Sequence, residues 1–102
     1  MSAAMRLVQI LLPSSPGKQS RSGFERVMHE LTEQFGGATA HINSPAEGLW
    51  ENDGTRERDL IVAVEVMVED FDERWWRDYR TELEGRFHQE EIVIRAVEMT
   101  KV

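Results

Sequence analysis

The chain has 102 residues and a net charge of −7, from 12 basic and 19 acidic side chains, which suits a single acidic domain over residues 1–102. An acidic surface repels phosphate backbones and no apolar run approaches the ~20 residues that cross a bilayer, so neither nucleic acid nor a membrane is expected as a partner. The chain has no cysteine, which excludes a disulfide, a thiolate nucleophile or a zinc–cysteine site and fits a cytoplasmic protein.

The first predicted elements are a strand and a helix. Arg6 to Leu12 is apolar along nearly its whole length, as in a central strand, and residues 1–5 are expected to be disordered. A loop rich in Ser, Pro and Gly ends at Ser22, which forms a capping-box pattern with the glutamate three residues later. Apolar side chains at helical spacing follow, and Gly36 and Gly37 end the predicted helix.

The rest of the chain predicts three strands and one helix. Ala38 to Asn43 begins the second strand, and Asn52-Asp53-Gly54 has the composition of a hairpin turn. Asp59 to Glu69 alternates apolar and other residues, as a third strand does. Asp70 is predicted to cap the second helix, and Gln89 to Lys101 forms the last strand.

This order of elements predicts an α+β domain. Two right-handed crossovers in a strand-helix-strand-strand-helix-strand chain place both helices on one face of a four-stranded antiparallel sheet. The expected fold is the ferredoxin-like βαββαβ plait with strand order 4-1-3-2. No helix is left to cover the opposite face of the sheet, here called the open face.

Each predicted strand carries one polar residue at the centre of its apolar run: Gln9, His41, Glu65 and Arg95. Because strand side chains alternate between faces, these four could form a line across the open face, here called the polar row. A three-residue loop at the predicted hairpin turn places His41 directly opposite Glu65. A register shift of one would instead pair His41 with Val66.

The remaining side chains of the open face are mostly apolar, and such a patch usually marks an interface or a ligand cavity. We therefore expect a second copy of the chain to cover it, since two-fold dimers are the commonest assembly. Trp50, close to the hairpin turn, is expected to reach the partner as an arm. The predicted interface residues are Leu7, Leu11, Trp50, Ile61, Met67, Val97 and Met99.

The polar row has two interpretations, one structural and one chemical. Buried polar side chains at an interface often only satisfy one another and fix the register. Alternatively, the row with Trp50 binds a small organic ligand, or His41 acts as an acid/base that Glu65 orients while Arg95 binds an anion. No pair of histidines has metal-ligand spacing on one element, so neither a metal nor a cofactor is expected.

One resemblance follows from short motifs. Gly36-Gly37-Ala38-Thr39, then Gly48-Leu49-Trp50, then the long third strand, is similar to small bacterial proteins of uncharacterised function in the dimeric α/β-barrel branch of the ferredoxin-like plait. That superfamily includes cofactor-free monooxygenases, haem-degrading enzymes, isomerases and amino-acid-sensing modules. Its enzymes hold their ligand against the open sheet face, which implies a pocket near His41 and Glu65. No single enzyme's catalytic set matches this chain.

Overall fold

The computed structural model of the chain describes residues 4–14, 18–41 and 60–102. Within these ranges, no helix has both the length and the apolar character needed to cross a membrane. The elements in chain order are β1 (Ala4–Ser14), α1 (Lys18–Phe35), β2 (Thr39–His41), β3 (Leu60–Val68), α2 (Glu73–Arg86) and β4 (Val93–Thr100).

The four strands form one antiparallel sheet in the order β2-β3-β1-β4. This is the predicted order 4-1-3-2 counted from the opposite edge, and the predicted α+β class is confirmed. The arrangement is compatible with a ferredoxin-like plait. The nearly continuous apolar character of β1 is explained by its position, because it pairs with β3 on one side and β4 on the other.

The core lies between the two helices and one face of the sheet. Alternate residues of β1 and β3 point to this face, and burial of each large apolar side chain contributes about 1.5–3 kcal/mol. Both helices add side chains to the same cluster, so they pack on the same face. The fully or nearly buried members are Val8, Ile10, Leu12, Val27, Leu31, Val64, Val66, Val68, Trp76, Tyr79, Leu83 and Ile92.

Both elements at the start of the chain begin earlier than predicted. β1 begins at Ala4, so Ala4 and Met5 belong to the sheet, because β4 is long enough to pair with them. α1 begins at Lys18 rather than after a cap at Ser22, since lysine, glutamine and arginine favour a helix and interior serines cost only tenths of a kcal/mol. The predicted end is confirmed: Gly36 has φ 85, a conformation that favours glycine.

The second helix is capped by Asp72 and not by Asp70. The Asp72 backbone is extended, and its carboxylate accepts a hydrogen bond from the Trp75 backbone N–H at 3.2 Å. Both aspartates have suitable side chains, and only the position of the first helical turn distinguishes them. The apolar side chains of this helix lie on one face and reach the core, with Trp76, Tyr79 and Leu83 buried.

A charged network joins the two helices and was not predicted. Arg86 donates two hydrogen bonds to the Glu30 carboxylate, at 2.6 and 2.8 Å, and Tyr79 donates a third at 3.0 Å. Arg86 also pairs with Glu82 at 2.9 Å. The Glu82–Arg86 pair follows from i,i+4 spacing on one helix, whereas a contact between α1 and α2 has no local signature. These four residues are called the interhelical cluster.

Candidate functional site

The polar row forms a hydrogen-bonded line across all four strands. Arg95 Nε donates to Gln9 Oε1 at 2.7 Å, and Gln9 Nε2 donates to Glu65 Oε2 at 2.8 Å. His41 Nε2 contacts the other oxygen of the Glu65 carboxylate. The register explains the first two contacts, since Gln9 faces Glu65 on one side and Arg95 on the other. The prediction that these four side chains share one face and meet is confirmed.

The predicted pairing of the second and third strands is wrong by two residues. Thr39 faces Glu65, and His41 faces Ala63. A shift of two keeps every side chain on its face, so the apolar pattern does not distinguish the two registers. His41 therefore reaches Glu65 along the diagonal, a distance that long side chains span. The predicted hairpin turn at residues 52–54 lies outside the described residues.

Apolar side chains lie on both sides of the polar row. Leu7 of β1 faces Val97 of β4 and Met67 of β3, and Leu11 occupies the corresponding position on the other side of Gln9. Met67 is 46% exposed and Val97 is 48% exposed, whereas the side chains of the helix-covered face are buried. A polar line is thus set in apolar surroundings that this single chain leaves accessible.

The predicted interface residues fall on the open face where the structure describes them. Met67 and Val97 are exposed, and Leu7, Leu11 and Met99 are half-buried. Trp50 lies outside the described residues, as does the side chain of Ile61, so these two assignments stay predictions.

Glu65 is held as a carboxylate. Hydrogen bonds from Gln9 and then from His41 lower the pKa of Glu65, and partial burial opposes them. Its side chain is 22% exposed, whereas that of His41 is 46% exposed. The pair therefore has a sheltered anion that orients a more accessible imidazole. This is the arrangement in which a carboxylate positions histidine for proton transfer.

Both ends of the polar row retain hydrogen-bonding groups. Arg95 uses Nε for Gln9, and its two terminal nitrogens donate to no other side chain within residues 4–14, 18–41 and 60–102. His41 uses Nε2 for Glu65, and its Nδ1 forms no hydrogen bond with the described residues either. An arginine fork and an imidazole nitrogen are groups that bind a polar ligand.

A separate open cleft of about 480 Å³ lies at one end of the sheet and was not predicted. It is lined by Met5, Arg6, Glu69, Glu98, Met99 and Thr100 and includes no member of the polar row. Its charged side chains are largely exposed, with Arg6 and Glu98 4.0 Å apart. The polar row is the stronger candidate site because its groups converge through hydrogen bonds.

The part of the chain that the structure describes contains no group of three or more His, Asp or Glu side chains placed to hold a metal ion. Comparison with known proteins adds no further assignment. No family model matches the chain, and it has no match among curated proteins or solved structures. The geometry of the polar row is therefore the feature from which a function is inferred.

Proposed function

We propose that this chain is a cytoplasmic homodimer with a ferredoxin-like plait of the dimeric α/β-barrel type, which binds a small organic ligand at its open face. One observation carries the proposal. A hydrogen-bonded line of four polar side chains crosses a sheet face on which Met67, Val93 and Val97 are 46%, 44% and 48% exposed. Exposed apolar patches of this kind mark an interface or a binding cavity.

The charge of the open face favours a second copy as its cover. The whole chain carries a net charge of −7, so two copies repel each other at most surfaces. Among the described strand residues of the open face, the formal charges are those of Glu65 and Arg95, and they cancel. An interface on this face therefore brings apolar side chains together without adding like charge.

The ends of the polar row carry hydrogen-bonding groups that none of the described residues uses, and these groups favour a polar ligand with an apolar body. The terminal nitrogens of Arg95 suit a carboxylate or another oxygen acceptor, and Nδ1 of His41 suits a donor or an acceptor, depending on its tautomer. The flanking apolar side chains suit the remainder of a small organic molecule. Pockets with this mixture, closed from water by a second surface, are typical of small-molecule sites.

A second candidate function is a cofactor-independent enzyme of the isomerase or monooxygenase type. The contact between His41 and Glu65 favours it. In that reaction His41 would transfer the proton, Glu65 would orient the imidazole, and Arg95 would bind an anionic group of the substrate. The enzyme and the binding module use the same side chains and differ only in whether the ligand is converted.

Light scattering across micromolar to submillimolar protein concentrations tests the dimer. We expect the wild type to double in mass and Val97→Glu to remain monomeric, because the new carboxylate lies within the apolar surface. Thr81→Glu, which adds the same charge on an exposed part of α2, is the control and should dimerise. A wild type that is monomeric throughout the range contradicts the proposal.

A thermal-shift screen of small organic acids and alcohols tests the ligand. We expect hits that raise the melting temperature of the wild type and lose that effect in His41→Ala, whereas His29→Ala, at an exposed histidine of α1, retains it. If His41→Ala responds to every hit as the wild type does, the ligand assignment is wrong. Following the hits by mass spectrometry for conversion to product then separates the enzyme from the binding module.

A further inference from the structure

We infer that the two copies pack face to face about a two-fold axis parallel to the strands, which places Arg95 of each copy against Glu65 of the other. This inference rests on the proposed dimer and specifies its geometry. It makes the candidate site composite, because each His41–Glu65 pair then receives an arginine from the partner. The feature that carries it is the sequence of charges along the polar row.

The polar row is electrically asymmetric from one side to the other. Arg95 on β4 is positive, Gln9 on the central β1 is neutral, and Glu65 on β3 is negative. The two charges lie on strands on opposite sides of β1, about 9–10 Å apart at the usual strand spacing. The row therefore reads plus, neutral, minus across the face.

Symmetry then limits how two such faces meet. Two identical sheets packed face to face are related by an axis that lies between them and parallel to both. An axis that runs along the polar row places each side chain over its own copy, so Arg95 meets Arg95 and Glu65 meets Glu65. An axis that runs along β1 at Gln9 reverses the row, so each arginine meets a glutamate.

Orthogonal packing of the sheets gives no compensating contact. If the strands of the two copies crossed at a right angle over Gln9, the polar row of one copy would run along β1 of the other. Arg95 and Glu65 would then lie over Leu7 and Leu11, and charges would be buried against apolar side chains without a partner. The axis along β1 is thus the arrangement that pairs both charges.

The same axis brings apolar side chains of the two copies together and gives the terminal nitrogens of Arg95 an acceptor. It places Leu7 over Leu7 of the second copy and Val97 over Met67, so that apolar groups meet apolar groups on both sides of the polar row. The terminal nitrogens of Arg95 form no hydrogen bond with the other described residues. A carboxylate has about four acceptor positions, and among the described side chains only Gln9 and His41 donate to Glu65.

A single spin label measures the axis directly. Thr100 is exposed and lies five residues beyond Arg95 on β4, on the face away from the interface. Because the chain has no cysteine, Thr100→Cys gives one label per copy. With ~3.3 Å per residue, ~4.8 Å between strands, ~10 Å between sheets and ~6 Å for the reach of each label away from its sheet, the axis along β1 gives a label separation of about 25 Å and the axis along the polar row gives about 40 Å. Sheets that cross at a right angle give about 27 or 37 Å, depending on the direction of crossing, and the charge variants below separate that packing from the axis along β1.

The expected result is a double electron–electron resonance distance near 25 Å in a sample that light scattering shows to be dimeric. A distance near 40 Å in a dimeric sample overturns the inference and leaves the proposed function standing. A sample that stays monomeric overturns both.

Charge reversal tests the crosswise pairs independently of the label. Arg95→Glu should weaken the dimer at least tenfold, because its new carboxylate meets Glu65. An axis along the polar row predicts no weakening, since one like-charged pair replaces another. Arg80→Glu makes the same change of charge on an exposed part of α2 and should change the dissociation constant less than threefold.

Mixing two variants completes the test. Glu65→Arg should also weaken its own dimer, and an equimolar mixture with Arg95→Glu should dimerise with an affinity within threefold of the wild type, because both crosswise pairs become attractive again. If the mixture stays as weak as its components, the crosswise pairing is wrong. Should Glu65→Arg not fold, the spin-label distance together with Arg95→Glu still distinguishes the axis along β1 from the axis along the polar row.

Discussion

Two networks in this molecule are built around a glutamate, and they differ in what surrounds it. In the interhelical cluster, Glu30 accepts two hydrogen bonds from Arg86 and one from Tyr79. The arginine side chain is only 15% exposed. Each member of the cluster bonds to another member, either on the other helix or one turn away on the same helix. Networks of this kind hold elements together.

In the polar row, the two central side chains form more hydrogen bonds with the described residues than the two end side chains do. Gln9 and Glu65 use their side-chain groups on each other and on their neighbours. Arg95 and His41, at the two ends, are exposed and keep nitrogens that form no hydrogen bond with the other described residues. The difference assigns the interhelical cluster to the fold and supports the proposal that the polar row binds a ligand or a second copy.

Removal of Arg86 should have the largest effect on stability. We expect Arg86→Ala to lower the free energy of unfolding by about 2–3 kcal/mol, because it removes a bidentate pair and leaves Glu30 partly buried without its cation. Arg77→Ala, which removes an exposed pair with Glu73, should cost no more than about 0.5 kcal/mol. Urea denaturation at neutral pH measures both, and equal losses would mean that the interhelical cluster is not a structural link.

Acidification should weaken both networks, and the interhelical cluster more. Hydrogen bonds from Arg86 lower the pKa of Glu30, and those from Gln9 and His41 lower the pKa of Glu65. A carboxyl group with a lower pKa in the folded state stabilises the protein fully above its unfolded pKa of about 4.3, and this contribution is lost as pH falls through the folded pKa.

The pH dependence separates the two glutamates through matched variants. Glu30→Gln and Glu65→Gln should each flatten the fall in the free energy of unfolding between pH 5 and pH 2. Glu30→Gln should flatten it more, because Glu30 accepts from an arginine whose side chain is 15% exposed, and Glu65 from a neutral amide and an exposed imidazole. Urea denaturation at a series of pH values and one protein concentration measures this, and the reverse order would contradict the comparison.

The sequence predicts the polar row well because it depends on local alternation. Each of Gln9, Glu65 and Arg95 interrupts an apolar run, and a period of two assigns all three to one face. The residue directly opposite His41 was predicted wrongly, because two registers that differ by two residues place the same side chains on each face. The alternation of side chains along each strand predicts which of them share a face, but it does not predict the distances between them.

The interhelical cluster shows what a single sequence does not reveal. Glu30 and Arg86 lie 56 positions apart, and each is an ordinary charged residue on an amphipathic helix. Their meeting depends on how far each helix turns as it packs on the sheet, which no local pattern records. The start of α1 at Lys18 was missed for a related reason, since a cap pattern at Ser22 is compatible with both a helix start and a helix interior.

The centre of the polar row should contribute a smaller amount to stability than the interhelical cluster. Gln9→Ala removes one bond to a carboxylate and one from an arginine, and we expect a loss of about 1–1.5 kcal/mol. Gln34→Ala, at an exposed glutamine of α1, is the matched control and should change stability by no more than about 0.5 kcal/mol. Thermal or urea denaturation checks the pair, and a Gln9→Ala protein as stable as its control would mean that the row holds no part of the sheet.

The end of the polar row should contribute least to the fold. Arg95 is exposed and makes one hydrogen bond to a neutral amide, so we expect Arg95→Ala to cost no more than about 0.5 kcal/mol in the monomer. Urea denaturation measures this at a concentration where light scattering shows a single copy, since dissociation of a dimer would add to the loss. If Arg95→Ala lowers the free energy of unfolding as much as Arg86→Ala does, Arg95 has a structural role in the monomer. If the loss is small and Arg95 is nevertheless required for dimerisation, its role is in binding the partner.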